Sequence, residues 1–157
     1  MLIFVTIILN VVMTYVVPLI RTIRVRTSLF VTYVFLVLYI TLLSRRDSAW
    51  GFNPMPFHFL YWVYRRYRVY GILGILQPIE GVLLNIFLFF PFGFLLSSIK
   101  KFKNGYVIVI LALAFSFMIE ILQLYLHIGL FETDDLITNS LGSWFGYSVF
   151  TNRNQGK

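Results

Sequence analysis

Residues 120–142 read EILQLYLHIGLFETDDLITNSLG and join the last two apolar segments of the chain. They contain four of its six acidic residues, namely Glu120, Glu132, Asp134 and Asp135. Carboxylates at membrane depth are costly unless they face the protein interior or find partners. This stretch therefore predicts a polar site where two membrane-spanning helices meet.

The composition of the whole chain is typical of a membrane protein. Of its 157 residues, 59% are hydrophobic and 12% are charged, whereas soluble domains are about 25% charged. The mean hydropathy is +0.84. The length suits one bundle, so we expect a single domain over residues 1–157. The sequence has no cysteine, which excludes disulfides and thiolate metal ligands, and it identifies no metal or cofactor.

Five segments are long and apolar enough to cross about 30 Å of hydrocarbon as helices. They cover roughly residues 1–20, 28–44, 81–99, 106–127 and 135–150. The predicted fold class is an all-α membrane protein, a bundle of about five transmembrane helices. The first segment is expected to be a retained span, because it lacks the basic start of a signal peptide. The fifth is short and contains glycine, so it is the weakest of the five.

The distribution of lysine and arginine predicts the orientation. If the loop after the first segment is cytoplasmic, eight basic residues lie on the cytoplasmic side and five on the outer side. The acidic stretch and the loop of residues 45–77 then face the outside.

The loop of residues 45–77 is both aromatic and basic. A helix over about residues 55–70 would place Trp62 among apolar neighbours and three arginines near its end. Such an amphipathic segment suits the membrane interface beside anionic headgroups. Nucleic acid is not an expected partner, because the arginines are few and are interleaved with aromatic residues.

Two helical stripes predict how the polar site is assembled. Their members are Ser116, Glu120, Gln123 and His127 on the fourth segment, and Asp135, Asn139, Gly142 and Gly146 on the fifth. The two glycines permit close helix contact. Glu120 lies about 10 Å below the outer edge of its segment, so it needs a partner. The nearest candidates are Arg45 and Arg46, at the outer end of the second segment.

The motifs around these residues resemble the VanZ-like family of small membrane proteins. They are NIFLFFPFGFLL at 85–96, Glu120 with Gln123, FETDDLITNSLGSWFGY at 131–147, and an arginine after the second segment. The resemblance covers about residues 41–147. The founding member is associated with resistance to the glycopeptide teicoplanin. The resemblance therefore implies a VanZ-like multi-pass domain of the bacterial cytoplasmic (plasma) membrane, tied to that resistance.

The stripes and the resemblance together give the candidate site residues. The candidate catalytic residues are Glu120, Asp134 and Asp135, as acid–base groups or as oxygen ligands of a divalent cation. The candidate substrate-binding residues are Arg45, Arg46, Asn85, Gln123 and Asn139. For Asp134 alone we favour a helix cap, because acids are favoured in a first helical turn. For the whole set we favour a functional site.

The sequence leaves open whether the protein is an enzyme. One hypothesis is a site that binds or processes an envelope lipid or a lipid-linked cell-wall component. The other is a non-enzymatic protein that docks lipid, antibiotic or a cell-wall synthesis partner through its aromatic and basic loop. A homodimer through the face of Gly142 and Gly146 also stays open.

Overall fold

The computed structural model describes residues 2–20, 22–43, 50–99 and 102–155. Within these ranges the helices are α1 (Leu2–Val16), α2 (Ile23–Leu38), α3 (His58–Tyr70), α4 (Leu76–Ser98), α5 (Gly105–Tyr125) and α6 (Thr133–Gln155). Short 3-10 segments follow α1 and α3 at Val17–Leu19 and Gly71–Ile75, and a π-helical segment, Tyr39–Leu43, follows α2. The strands are β1 (Gly51–Asn53) and β2 (Leu130–Glu132).

The protein is predominantly helical, as predicted, but the count of five spans is not confirmed. In the described part of the chain, three helical runs are long and apolar enough to cross a membrane: Ile23–Leu43, Gly105–Tyr125 and the run His58–Ser98, which contains α4. Helix α1 is shorter than a span. Helix α6 has 23 residues, but its many polar side chains make it less apolar than the three runs.

Helix α4 lies at the centre of the bundle and contacts α1, α2, α5 and α6. Every residue from Pro91 to Ser98 is buried. The ring of Phe92 stacks on Phe115 of α5, with 5.5 Å between centroids. Burial on all sides explains why this segment has no solvent-facing polar side, and its two serines, Ser97 and Ser98, donate to carbonyl groups of their own helix.

Neighbouring helices compensate for Pro91 inside α4. Proline has no N–H, so the carbonyl oxygen of Phe87, four residues earlier, has no helical donor. Asn10 of α1 donates its side-chain N–H to that oxygen at 2.8 Å. The Tyr33 hydroxyl of α2 donates to the next carbonyl, that of Leu88, at 2.5 Å. Backbone groups freed by proline in a membrane are satisfied in this way by adjacent helices.

Helices α4 and α6 pack backbone against backbone. A methyl group at Gly142 or at Gly93 would overlap the carbonyl oxygen of Ile86 or of Ser143 respectively, and Gly146 is equally close to α4. The close contact predicted for Gly142 and Gly146 is thus confirmed, and its partner is α4 of the same chain. A homodimer would have to use another surface.

Strands β1 and β2 pair in parallel, with Phe52 opposite Phe131. The sequence analysis did not predict this small sheet. It joins the segment before α3 to the segment before α6, and the rings of Phe52 and Phe131 lie 4.9 Å apart. The start of α3 is thereby held beside the start of α6.

Candidate functional site

A cavity of about 770 Å³ lies where α2 and α5 end and where α4 and α6 begin. Six of the eight predicted site residues line it: Asn85, Glu120, Gln123, Asp134, Asp135 and Asn139. The other two, Arg45 and Arg46, lie outside the residues that the structure describes. The polar stripes of the fourth and fifth segments therefore contribute to one cavity, as their spacing predicts.

Glu120 is buried, with 2% of its surface exposed. Its Oε2 accepts a hydrogen bond from the backbone N–H of Glu132 at 2.9 Å. A buried carboxylate needs such donors to replace the water it has lost. The predicted arginine partners, Arg45 and Arg46, lie outside the described residues, and the structure shows a backbone amide in β2 as one partner. This bond ties the end of α5 to the chain segment that enters α6.

Asp134 acts as a cap, but for a different helix from the one expected. It lies in the first turn of α6, as predicted, while its Oδ2 accepts from the backbone N–H of Phe59 at 2.7 Å. Phe59 belongs to the first turn of α3, whose own N-cap residue, Phe57, provides no side-chain hydrogen bond. The carboxylate of Asp134 therefore satisfies an amide that α3 leaves without a helical partner.

Asp135 and Asn85 connect α6 to α4 at the wall of the cavity. The Asn85 side chain donates to Asp135 Oδ1 at 2.7 Å. Both residues are half-buried. Asp135 thus lines the cavity from a position fixed by its neighbour.

Three buried oxygen atoms of cavity-lining residues have no hydrogen-bond partner among the described residues: Gln123 Oε1, Asp134 Oδ1 and Asn139 Oδ1. The amide nitrogen of each of the two amide side chains donates one hydrogen bond. Gln123 donates to the carbonyl of Thr41 at 3.0 Å, and Asn139 donates to Ser116 Oγ at 2.8 Å. A buried acceptor without a donor costs about 1–3 kcal/mol, so such atoms call for an additional partner, such as water or a ligand.

Helix α3 forms another wall, whereas the sequence analysis placed this segment at the membrane interface or in a docking loop and not at the polar site. Phe59, Trp62 and Arg66 line the cavity at positions i, i+3 and i+7 of this helix. That spacing puts the three residues on one face of α3, but it does not show that this face meets the polar site. Arg65 and Arg68 are exposed, and the Arg65 guanidinium lies 5.4 Å from the centre of the Trp62 ring.

Two further acids, Glu80 and Glu132, line the same cavity and were not predicted as site residues. Glu80 precedes the third apolar segment as it was first delimited, whereas α4 begins at Leu76 and contains it. Among the described residues, no group of three or more acidic or histidine side chains could hold a metal ion.

Both histidines lie within the described ranges, and neither lines the cavity. His58 Nδ1 lies 2.6 Å from the side-chain nitrogen of Asn53. His127 stacks on Trp50, with 4.7 Å between ring centroids. The chemistry of the cavity therefore depends on carboxylates, amides and a guanidinium.

The profile of the VanZ/LLP1 family matches residues 30–153. The chain belongs to the VanZ/LLP1 family. The match contains every residue that lines the cavity except Thr6 of α1. Comparison with curated proteins and with solved structures gave no match.

Membership of the VanZ/LLP1 family confirms the resemblance found in the motifs. Together with the three apolar helical runs, it indicates a membrane protein. The matched region begins in α2, upstream of the first motif, and ends in α6. The family region and the helices that enclose the cavity thus coincide closely.

Proposed function

We propose that this VanZ/LLP1 protein binds the polar headgroup of an envelope lipid, or of a lipid-linked cell-wall component, in the cavity beneath α3. The observation that carries the proposal is the cavity of about 770 Å³, with its carboxylates, amides and guanidinium in an otherwise apolar bundle. Ligand pockets have volumes of about 300–1,000 Å³. Ionisable groups within a membrane bundle mark functional positions by default.

The lining offers complementary surfaces for such a ligand. Arg66 would bind the phosphate, because a guanidinium matches phosphate oxygens with paired hydrogen bonds. Arg45 and Arg46 stay candidates for the same role. The deeper lining residues Phe89 and Ile119 are apolar and suit the start of an acyl or prenyl chain. The arginine distribution supports a cavity that opens to the outer leaflet, where teicoplanin meets its target.

Lipid retention tests the binding proposal. The full-length protein is purified in mild detergent, and co-purifying envelope lipids are quantified by mass spectrometry. Asp135→Asn and Arg66→Gln should each reduce the retained headgroup lipid, because each removes a charge from the cavity lining. Arg68→Gln, which changes an exposed arginine on the same helix, is the matched control and should retain lipid normally. Equal retention by all four proteins would contradict the proposal.

Whether the bound molecule is also processed depends on the carboxylates. Glu120 and Asp135 are the candidate acid and base, since both line the cavity and both can exchange protons. Glu120→Gln should then keep lipid binding and lose glycopeptide protection. If Glu120→Gln binds lipid and still protects fully, the site binds its ligand without processing it.

The outer face of α3 supports a second function, docking without chemistry. Tyr61, Tyr64 and Tyr67 are exposed, and the Arg68 guanidinium lies 5.9 Å from the centre of the Tyr64 ring. Such a face suits contact with the membrane interface, with an antibiotic or with a cell-wall synthesis partner. Joint replacement of Arg68 and Tyr64 by Gln and Ala should abolish protection if docking is the function. Protection that survives this change would count against docking.

A further inference from the structure

Helix α3 forms one wall of the cavity but is loosely packed. Phe59, Trp62 and Arg66 line the cavity from this helix, yet none of its 13 residues is buried. Helices α4, α5 and α6, in contrast, each contain residues that are buried in the bundle. A segment with few buried contacts opens at a low cost in free energy. Helix α3 can therefore leave the cavity while the bundle stays folded.

The start of α3 is held by two contacts from outside the helix. Asp134 of α6 accepts a hydrogen bond from the Phe59 N–H at 2.7 Å, whereas the N-cap residue of α3 itself provides no side-chain hydrogen bond. Upstream of α3, strand β1 pairs with β2 through three residues on each strand. Both contacts are small and reversible, and both attach the start of α3 to the start of α6.

The end of α3 is a bend that glycine alone adopts readily. Gly71 has φ +65° and ψ −153°, a combination that is essentially restricted to glycine. A methyl group at Gly71 would meet open space, so the requirement for glycine comes from the backbone conformation. A residue of this kind at the end of a helix can absorb the change of direction when the helix moves. Gly71 therefore provides a pivot at the end of α3 opposite the two contacts.

We propose that α3 is a hinged lid, which pivots at Gly71 and is latched over the cavity by Asp134. The inference concerns access to the cavity and rests on the proposed function only for what enters it. The exposed tyrosines and arginines of α3 suit the membrane interface, so the helix has a favourable environment in both positions. The ligand enters when the latch is open and is enclosed when Phe59 returns to Asp134.

Thiol labelling measures how often the lid is open. The chain has no cysteine, so Gln123→Cys places a single reporter in the cavity, at a residue that is 2% exposed. Ser116→Cys, on the same helix, is buried outside the cavity lining and reports unfolding instead. The full-length protein in detergent reacts with a methanethiosulfonate reagent. When the lid opens and closes faster than the thiol reacts, the labelling rate is proportional to the open fraction.

Loss of the latch should raise the open fraction. Asp134→Ala should speed labelling of Gln123→Cys about fivefold, the change expected for the loss of one helix cap. Asp134→Asn is the matched control, because its side-chain oxygen can still accept from Phe59. It should label nearly as slowly as the protein with Asp134.

A change at the pivot should act in the same direction. Gly71→Ala strains the bend that places α3 over the cavity, so it should also speed labelling of Gln123→Cys. The control is Gly81→Ala, where a methyl group likewise meets open space but the backbone has no positive φ. It should leave the rate unchanged.

A disulfide between the strands tests the lid in the opposite direction. A Cβ atom at Gly51 would lie 2.9 Å from Cδ1 of Leu130, its partner in the strand pair, so cysteines at these two positions are close enough to form a disulfide. The disulfide holds the start of α3 beside α6 and should slow labelling of Gln123→Cys. The control has serine at both positions and cannot form the bond.

The outcomes that would overturn the lid are separate from those that concern binding. Equal labelling of Gln123→Cys with and without the disulfide would overturn it, as would an Asp134→Ala rate equal to that of Asp134→Asn. An equal rise in the labelling of Ser116→Cys would assign the effect of Asp134→Ala to unfolding and would also count against the lid. Lipid retention is measured independently of these rates, so a fixed α3 would leave headgroup binding intact.

Discussion

The contribution of Asn10 to stability should depend mainly on the presence of Pro91. The proline leaves the Phe87 carbonyl without a helical donor, and Asn10 of α1 supplies one at 2.8 Å. Replacing Pro91 by alanine restores a backbone N–H at position 91 that can donate to the same oxygen. Asn10→Ala should therefore be costly with Pro91 and nearly neutral with alanine at that position.

The size of the effect follows from the hydrogen bonds involved. An unsatisfied buried carbonyl costs about 1–3 kcal/mol, while hydrogen bonds between membrane helices average about 0.6 kcal/mol and reach about 1.7 kcal/mol. Asn10 Oδ1 is itself buried without a partner, so its removal offsets part of the loss. That offset is the same in both backgrounds and cancels in a double-mutant cycle. We expect a coupling free energy of about 1 kcal/mol.

Unfolding in mixed micelles by a denaturing detergent, followed by circular dichroism, measures the four free energies of the cycle. Thr27→Val is the control, because Thr27 bonds to Ile23 in an uninterrupted helix and is exposed. It should show no coupling to Pro91→Ala. An equal cost of Asn10→Ala in both backgrounds would refute the role assigned to this side chain.

Three further predictions concern packing, capping and orientation. Gly93→Ala should destabilise the fold by about 2 kcal/mol or more, because the methyl group meets the backbone of α6. At the control position Gly81, a methyl group meets open space, so Gly81→Ala should stabilise the fold by up to about 1 kcal/mol. Equal effects of the two changes would refute the close contact. Asp134→Ala should cost about 1 kcal/mol and speed amide exchange at the start of α3; unchanged exchange would rule out the cap. In this cysteine-free chain, a cysteine replacing Glu132 should react with an impermeant thiol reagent in intact cells, whereas one replacing Lys103 should not. The opposite pattern would reverse the orientation.

Most of the residues that line the site could be predicted from the sequence, because their positions follow from helix geometry. Residues four apart share a face, and the rise per residue fixes their depth. These two rules brought Glu120, Gln123 and Asn139 to one cavity. The same rules predicted the glycine contact of α6, although they gave no reason to choose α4 as its partner.

The connections around the cavity could not be predicted in the same way. Strands β1 and β2 have three residues each, too few for an alternating pattern to appear. Their partners are far apart in the sequence, as are Asp134 and the amide of Phe59 that it caps. No local pattern encodes such pairs. Arg66 was missed for a related reason, because only the placement of α3 over the cavity distinguishes it from Arg65 and Arg68.

The number of membrane spans was judged by hydropathy, and the polar residues that line the cavity lower the hydropathy of their helix. Helix α6 contributes Asp134, Asp135, Thr138 and Asn139 to the lining, which makes it the most polar of the long helices. Its length is nevertheless that of α4, 23 residues. Hydropathy alone therefore underrates a helix that faces a polar cavity on one side and α4 on another.

Teicoplanin susceptibility tests the central claim, that a carboxylate of the cavity carries the function. Sensitive bacteria express wild type, Asp135→Asn or the control Arg68→Gln at matched membrane levels. Asparagine at position 135 can still accept the hydrogen bond from Asn85, so this contact is kept while the charge is lost. We predict protection by wild type and by Arg68→Gln, and none by Asp135→Asn. Full protection by Asp135→Asn would contradict the claim.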